Sequence, residues 1–150
     1  MAIYFYSTND PYGCFSNFSA HGFTLKGQWW ATSEHYFQAQ KFVGTEHEAV
    51  IRNAKRPNDA ARMGRERSRP LRRDWEQVKD DVMRDAVRAK FRAHADIRAI
   101  LLGTGDEELV ENAPSDYYWG CGADGSGKNM LGKILVQIRA ELRAEFAADN

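Results

Sequence analysis

Cysteine is scarce in this sequence, since only Cys14 and Cys121 occur among 150 residues. The two residues lie far apart and form no CxxC pair, so we expect reduced thiols rather than a disulfide framework or a structural zinc site. A domain of this length buries roughly 70% of the surface of its unfolded chain, so a stabilising metal or disulfide is not needed. The sequence therefore predicts no metal site.

Long apolar runs and linkers are also missing. No stretch approaches the ~18 apolar residues of a membrane span, and the N-terminal residues show neither the basic nor the apolar segment of a signal peptide. Hydrophobic residues make up 43% and charged residues 28% of the chain, which is typical of a folded domain and not of disorder. We expect one cytoplasmic domain, residues 1–150, without a membrane partner.

The net charge is zero, because 21 basic residues balance 21 acidic ones. This balance removes the whole-molecule basic field of a dedicated nucleic-acid binder. Basic residues are nevertheless concentrated between Arg52 and Arg73, where nine of them stand against Asp59 and Glu66. This basic segment, residues 52–73, predicts either a solvated helix face or a surface that captures a phosphate or polyanion.

The predicted fold class is α+β, a single compact and mainly helical domain with a small β-sheet. Strands are predicted over residues 3–6 and 22–27, with edge strands or ordered loop at 109–110 and 117–119. Helices are predicted over residues 32–43, 46–53, 58–65, 74–91, 96–102 and 129–146. The expected helix caps are Thr32 or Ser33, Asn58, Asp96 and Asn129, and Asp74 with Gln77 matches a capping box. The last helix is predicted to carry one apolar stripe, formed by Leu131, Ile134, Leu135, Ile138, Leu142 and Phe146.

The first predicted helix carries an unusual density of polar and aromatic side chains. A seven-residue step turns through 700° on a helix, so Glu34 and Lys41 project from nearly the same face, with Phe37 and Gln38 between them. These groups can line one pocket, or they can form an exposed, ion-paired face. His35 is expected to be a buried, hydrogen-bonded imidazole, because no second histidine stands at a ligand spacing on this helix.

A second group of candidate residues surrounds Trp119. Asp116 lies in turn-rich chain beside this indole, and a nucleobase needs a flat apolar surface such as Trp119 or Tyr36 on which to stack. The alternative is that Trp119 belongs to the core and that Asp116 is the side-chain acceptor of a turn. Both interpretations stay open at this point.

The segment Gly122-Ala-Asp-Gly-Ser-Gly-Lys-Asn129 nearly matches a phosphate loop. However, Asn129 stands where Ser or Thr would bind magnesium, and the about 20 residues that follow are too few for the later strands of an NTPase. We therefore reject an NTPase. The loop can still present backbone N–H groups to a phosphate or a sugar oxygen, or it can be a simple loop with Asn129 as helix cap.

Several stretches together resemble the YbiA-like, or NADAR, N-glycosidases. The main ones are Phe15-Ser-Asn-Phe18, the segment 32–42, and Asp116-Tyr-Tyr-Trp-Gly-Cys-Gly122 followed by Gly127-Lys-Asn-Met-Leu-Gly132. Residues 70–75, 82–83, 90–91 and 102–106 also resemble this family, so the similarity spans nearly the whole chain. No single motif is specific, but their order and spacing are.

The resemblance implies a compact α+β fold and hydrolysis of an N-glycosidic bond between a ribose phosphate and a base, without a metal or organic cofactor. The best-known activity of close bacterial relatives is on early riboflavin-pathway intermediates, which yield ribose 5-phosphate and an aminopyrimidine. The implied partner is a small phosphorylated riboside. The alternatives are removal of ADP-ribose from guanine in nucleic acid, the one case with a nucleic-acid partner, and a non-catalytic module that binds ADP-ribose or a nucleotide.

Three residues are expected to be catalytic. Cleavage of the C1–N bond passes through an oxocarbenium-like state that needs a carboxylate, a proton donor and a general base. Glu34 is expected to activate water or stabilise the cation, and Asp116 to take the complementary role. Lys41 can hold the phosphate as a point charge or attack C1 to form a Schiff base, and the electrostatic role is favoured here.

The expected substrate-binding residues extend over both halves of the chain. Tyr36 and Trp119 are assigned to the base, and the sugar is assigned to Ser16, Asn17 and Asn129. The remaining predicted contacts are Phe18, Gln38, Trp75 and Gly120.

Overall fold

A computed structural model of the chain describes residues 1–147. Its elements in chain order are β1 (Ala2–Phe5), a 3₁₀ helix (Gly13–Phe15), β2 (Phe23–Leu25), β3 (Gln28–Trp30), α1 (Ser33–Gln40), α2 (Glu46–Arg52), α3 (Pro57–Gly64), α4 (Trp75–Ala93), α5 (Ala95–Gly103), β4 (Glu108–Glu111) and α6 (Met130–Phe146). Within residues 1–147, six α-helices and four short strands confirm the predicted mainly helical α+β class.

Contacts divide the chain into two compact units, Met1–Ser19 with the segment from His94 onward, and Ala20–Ala93. The single domain over residues 1–150 stays a prediction. The two cysteines, both in the first unit, are not joined in a disulfide. Over residues 1–147, the structure contains no helix that is both long enough and apolar enough to cross a membrane.

The first unit is built on a parallel pair of strands, β1 and β4, in which Ile3 lies opposite Leu109. Helix α6 packs against β4 through its predicted apolar stripe. The stripe residues Leu131, Ile134, Leu135, Ile138 and Leu142 are buried. Gly132 permits the close approach, because a Cβ atom added there would lie 1.9 Å from the carbonyl oxygen of Leu109.

The second unit begins with a hairpin of β2 and β3, which pair in antiparallel fashion. Lys26 and Gly27 form the turn between them with φ angles of 55° and 74°, as a two-residue hairpin loop of the I′ type requires. The strand predicted over residues 22–27 ends at Gly27, and β3 was not predicted because it consists of only three residues. The β structure is thus two separate two-stranded sheets.

Two predicted helix starts are wrong, whereas α4 begins directly after Asp74, as predicted. Helix α3 begins at Pro57 rather than with Asn58 as cap, because the fixed φ of proline suits the first helical position. Asp96 lies inside the first turn of α5. The carboxylate of Asp74 forms no capping box, because it accepts two hydrogen bonds, of 2.7 and 3.0 Å, from the guanidinium of Arg72. Residues 117–119 are loop, not strand.

Helix α1 is buried along its whole length, although most of its side chains are polar. Helices α2, α3 and α4 pack around it. Its N-terminus is capped by Thr32, whose Oγ1 accepts the N–H of His35 at 3.1 Å, which confirms one of the two predicted caps. A buried polar helix requires a hydrogen-bond partner for nearly every side chain, so its surroundings are tightly specified.

His35 is such a buried polar group, as the sequence predicts. Its Nε2 donates to the carbonyl oxygen of Ala54 at 2.9 Å, so Nδ1 accepts the hydroxyl of Thr32 at 2.7 Å. This pair of bonds fixes a neutral tautomer and ties α1 to the end of α2. Burial lowers the pKa of His35 below its ordinary value of 6.5.

We predict that His35 makes the fold sensitive to acid. The folded protein keeps this imidazole neutral where the unfolded chain binds a proton, so its contribution is complete above pH 6.5 and is lost as the pH falls toward the lowered pKa. His35→Gln cannot titrate. Urea denaturation between pH 6.5 and about 5 should show a smaller pH dependence of the unfolding free energy in the variant, and equal dependence in both proteins would contradict the prediction.

Candidate active site

The carboxylate of Glu34 lies in the first turn of α1 and is only 8% exposed. One helical turn later, Gln38 donates from Nε2 to Glu34 Oε1 at 3.2 Å, which fixes the orientation of the carboxylate. The Oε1 atom of Gln38 is also buried, and it has no hydrogen-bond partner among residues 1–147. A buried polar atom without a partner is uncommon outside functional sites.

Lys41 follows the last residue of α1 and is partly buried. Its Nζ donates to the carbonyl oxygen of Gly64 at 3.3 Å and lies 5.8 and 5.9 Å from the ring centroids of Phe37 and Trp75. These rings pack edge to face with their centroids 5.0 Å apart. Trp75, a predicted substrate contact, thus forms the apolar wall beside the amine.

Burial lowers the pKa of Lys41, while the negative charge of Glu34 acts against this effect. The positive charges of Arg65 and Arg67 lower it further. The electrostatic contact between Glu34 and Lys41 agrees with the common helix face that their spacing predicts. A lysine with a lowered pKa holds more of its amine in the uncharged, nucleophilic form at neutral pH.

Gly64, the last residue of α3, contacts both polar groups of this face. A Cβ atom added to Gly64 would lie 1.9 Å from Gln38 Oε1, and the Gly64 carbonyl accepts the bond from Lys41. Sequence reasoning missed this residue, because a glycine within the basic segment indicates only a loop. Its role follows from the close approach of α3 to α1, and such an approach leaves no pattern in the neighbouring sequence.

Beside Lys41 lies a recess of about 210 Å³, called the basic recess below. Its wall includes Gly64 and Trp75 together with Arg67 and Arg69 of the basic segment. The structure thus places part of the basic segment around a cavity instead of on a flat helix face. This outcome favours the phosphate-capture alternative for these residues over a purely solvated face.

Tyr36 projects from α1 into an aromatic cluster and is 0% exposed. Its ring lies edge to face with Trp30, at 5.0 Å between centroids, and with Phe23 at 6.3 Å. Burial raises the pKa of Tyr36 to about 12, and its hydroxyl has no hydrogen-bond partner in the described chain. Stacking on a base needs an exposed ring face, which Tyr36 lacks here, so its assignment to the base stays a prediction.

In the first unit, Asp116 organises the turn that carries Trp119. Its Oδ1 accepts the backbone N–H groups of Tyr118, Trp119 and Gly120 at 3.0, 2.8 and 3.5 Å. This is the turn-acceptor arrangement that the sequence analysis left open. Asp116 thus has a structural role in its turn, and a catalytic role of its charge stays a prediction.

Trp119 itself is partly exposed, and its ring packs edge to face on Tyr118 with 4.9 Å between centroids. Gly120 is buried, and a Cβ atom added there would lie 2.8 Å from Cβ of Ala113. Base stacking needs a flat ring that is at least partly accessible. The predicted contacts of Trp119 and Gly120 with substrate remain untested predictions.

The predicted sugar contacts near the N-terminus follow the 3₁₀ helix. Ser16 is buried, and its Oγ accepts the N–H of Phe18 at 3.1 Å. Asn17 is partly buried, and the ring of Phe18 is exposed. The structure thus gives Ser16 a turn-forming role and leaves the three substrate assignments as predictions.

The glycine-rich loop does not present the expected row of N–H donors. The amide of Gly127 donates to the carbonyl of Cys121 at 2.7 Å, and the amides of residues 128–131 donate to the carbonyls of residues 117–120 at 2.9 to 3.1 Å. The amide of Ser126 donates to Oδ1 of Asp124. The phosphate interpretation is therefore wrong for these donors, which instead hold two loops together.

Asn129 occupies the N-cap position of α6 with a φ of 53°, but its side chain makes no cap bond. Its Oδ1 accepts the N–H of Glu111 and its Nδ2 donates to the carbonyl of Leu109, both at 2.9 Å. The expected side-chain cap is wrong, because both ends of the amide bind β4. The assignment of Asn129 to the sugar stays a prediction.

A metal site has no support in the described part of the chain, where no three histidine, cysteine or carboxylate side chains group together in a way that could hold an ion. The candidate residues for chemistry are Glu34, Lys41 and the arginines of the second unit, and Asp116 and Trp119 of the first. A carboxylate coupled to an amine of lowered pKa can support general-base or nucleophilic chemistry.

The family model of the NADAR domain matches residues 4–143. This chain belongs to the NADAR family. It is 56% identical over 146 residues to N-glycosidase Npun_R5314 of Nostoc punctiforme, covering 95% of this chain and 94% of that protein. It is 54% identical over 143 residues to N-glycosidase YbiA of Escherichia coli, covering 95% and 89%. These relatives confirm the expected enzyme class, a hydrolase of N-glycosyl bonds.

The NMR structure of the E. coli protein YbiA has the same fold, with a TM-score of 0.89 at 53% identity over 96% of this chain and 86% of that one. A plant member, the Zea mays protein named Riboflavin biosynthesis protein PYRR, chloroplastic, is 41% identical over 155 residues. This NADAR chain covers 25% of that longer protein.

We predict that Asp116 is needed first for the structure of its turn. Asp116→Ala removes the acceptor of three backbone N–H groups and should cost about 1–3 kcal/mol of unfolding free energy. Asp116→Asn retains Oδ1 and should stay close to wild type in stability. Thermal and urea denaturation check this expectation, and equal stability of the two variants would contradict it. Turnover by the stable Asp116→Asn protein then tests the charge alone.

Proposed function

We propose that the enzyme hydrolyses early, phosphorylated intermediates of riboflavin biosynthesis and releases ribose 5-phosphate and an aminopyrimidine. One observation carries this proposal. Within one unit, the buried carboxylate of Glu34 is coupled to the amine of Lys41, and that amine lines a recess that arginines share. A sugar phosphate combines the electrophilic carbon and the anion that such a site suits. The name of the maize relative supports the pathway.

Glu34 acts, in this proposal, on the developing positive charge at C1 and on the attacking water. Rupture of the C1–N bond leaves an oxocarbenium-like ribose, which a nearby carboxylate stabilises. The bond from Gln38 holds one carboxylate oxygen at 3.2 Å, so the group does not have to reorganise during the reaction. Gln38 is thus a positioning residue.

For Lys41 we infer the covalent role in place of the electrostatic one preferred from sequence. Partial burial lowers the pKa of the amine, and a lowered pKa is a condition for a nucleophilic lysine. Nζ then bonds to C1 as the C1–N bond to the base breaks, and the base leaves with a proton. The adduct opens to an imine of ribose 5-phosphate, which water hydrolyses to restore the amine.

We predict that Glu34→Gln lowers the turnover rate at least about 100-fold, as expected for loss of a general acid or base. The variant keeps an oxygen that can accept from Gln38, so its stability should change little. Release of ribose 5-phosphate from the pathway intermediate is measured by chromatography. The matched control is Glu46→Gln, at an exposed position of α2, which should retain wild-type turnover. Near-normal turnover by Glu34→Gln would remove Glu34 from the mechanism.

We predict that borohydride, added during turnover, traps a covalent adduct on Lys41. Reduction of the imine gives a stable secondary amine, and peptide mass spectrometry should find one reduced ribose 5-phosphate on the peptide that contains Lys41. Lys41→Arg should give no adduct, because its guanidinium stays protonated. Failure to trap an adduct with an actively turning-over enzyme would return Lys41 to an electrostatic role.

Substrate choice is tested by comparing the riboflavin intermediates with ADP-ribosylated guanosine in the same chromatographic assay. Ion pairs within the basic segment bear on this choice. Arg56 pairs with Asp59, and Arg69 pairs with Glu66, so part of the basic charge is neutralised within the segment. This neutralisation favours a small anion over a nucleic-acid backbone as the ligand. Hydrolysis of the guanosine substrate alone would replace the riboflavin proposal.

A further inference from the structure

We propose that the basic recess is the subsite for the 5′-phosphate of the substrate, with Arg67 as its principal ligand. This inference rests on the proposed function, since it assigns the phosphate of the same ribose whose C1 reacts with Lys41. It concerns the part of the ligand that the reaction leaves unchanged. It therefore makes its own predictions about binding, separate from turnover.

The size of the basic recess fits one part of a ligand. Its volume of about 210 Å³ corresponds to roughly seven water molecules at about 30 Å³ each. Pockets that enclose a whole drug-sized ligand usually measure ~300–1,000 Å³. The recess thus holds a phosphate and adjoining sugar atoms, and it does not need to contain the base.

The ion pairs around the recess show which cations are available. Glu66 and Glu76 lie in the wall, but the carboxylate of Glu66 pairs with Nε of Arg69 at 3.0 Å, and that of Glu76 pairs with Lys79. Arg69 also donates from Nη1 to Nδ1 of His47 at 2.7 Å, so its guanidinium is held in place. Arg67 is exposed and has no ion pair within residues 1–147. A phosphate dianion is the partner that this free guanidinium can bind in bidentate fashion.

Neighbouring charges also favour an anion here. Arg65 has no ion pair in the described chain, and like Arg67 it acts on the amine of Lys41 with a positive charge that lowers the pKa. Converging positive charges repel one another, and an anion between them removes that repulsion. A phosphate monoester carries ≈ −1.5 to −2 charges at neutral pH, which matches two arginines.

The recess also has an apolar side. Trp75 is buried and forms part of the recess wall, and Leu71 forms another part. The carbonyl of Gly64 also lines the recess, but it is occupied by the bond from Lys41 and does not repel the anion freely.

Two larger recesses of the first unit contain arginines that already have partners within the protein. One, of about 340 Å³, includes Arg139, which already donates to Thr104 and to the carbonyl of Glu107. The other, of about 530 Å³, includes Arg143, which is paired with Asp106. Their volume is greater, but these arginines are engaged within the protein. The basic recess combines a cavity with a guanidinium that has no internal partner.

The test compares ribose 5-phosphate with ribose as ligands of the intact protein by titration calorimetry. Wild type should bind ribose 5-phosphate, and inorganic phosphate should compete with it, whereas ribose should bind far more weakly. Arg67→Ala should weaken binding of ribose 5-phosphate roughly 10- to 100-fold, as expected for one charge-assisted contact. Arg67→Lys, which keeps the charge but not the fork, should weaken it less.

The matched control is Arg73→Ala, which removes an exposed arginine of the same basic segment that does not line the recess. It should bind ribose 5-phosphate as wild type does. Equal weakening by Arg73→Ala and Arg67→Ala, or equal binding of ribose and ribose 5-phosphate by wild type, would overturn the subsite. If Arg67-dependent binding occurs without turnover of the pyrimidine intermediate, the subsite stands and the proposed substrate falls. If the pyrimidine intermediate is turned over equally well with and without Arg67, the proposed substrate stands and the subsite falls.

Discussion

Burial of a polar helix is the constraint on which the second unit depends. Every side chain of α1, from Ser33 to Gln40, lies inside, so most of its polar groups need a hydrogen-bond partner within the protein. Gln40 meets this requirement twice, by donating to Glu48 of α2 and accepting from Lys26 of the hairpin turn. The helix is therefore fixed by directional bonds to several elements, and hydrophobic packing alone would not specify its rotation.

The same requirement positions the basic segment. Carbonyl groups at the end of α1 lack helical partners, and Arg72 supplies them: its Nη1 donates to the carbonyl of Gln40 at 3.3 Å and its backbone N–H to that of Lys41 at 3.0 Å. Asp74 orients the guanidinium from the other side. These bonds hold Arg72 at the end of α1, and the residues that precede Arg72 therefore pass close to Lys41. The basic recess is thus a consequence of how the helix ends.

Patterns carried by consecutive residues were predictable from the sequence, and bonds between distant ones were not. The seven-residue step from Glu34 to Lys41 and the periodic stripe of α6 follow from helix geometry alone, and the structure has both. Asn129 failed as a side-chain cap because residues of β4, distant in sequence, bind its amide, which local propensity does not include. Asp74 forms no capping box because its near neighbour Arg72 binds the carboxylate. Gly64 was not predicted because it matters through the close approach of Gln38 in α1, and the residues next to Gly64 in sequence give no sign of that contact.

The candidate site residues of the two units use their polar groups differently. In the first unit, Oδ1 of Asp116, the amide of Asn129 and the amides of the glycine-rich loop are consumed in holding chain segments together. In the second unit, Arg67 and Oε1 of Gln38 remain without internal partners beside a reactive amine. The buried Oε1 of Gln38 costs stability as long as it has no partner, and the exposed Arg67 is available to an anion, so a polar ligand at Lys41 would complete both groups.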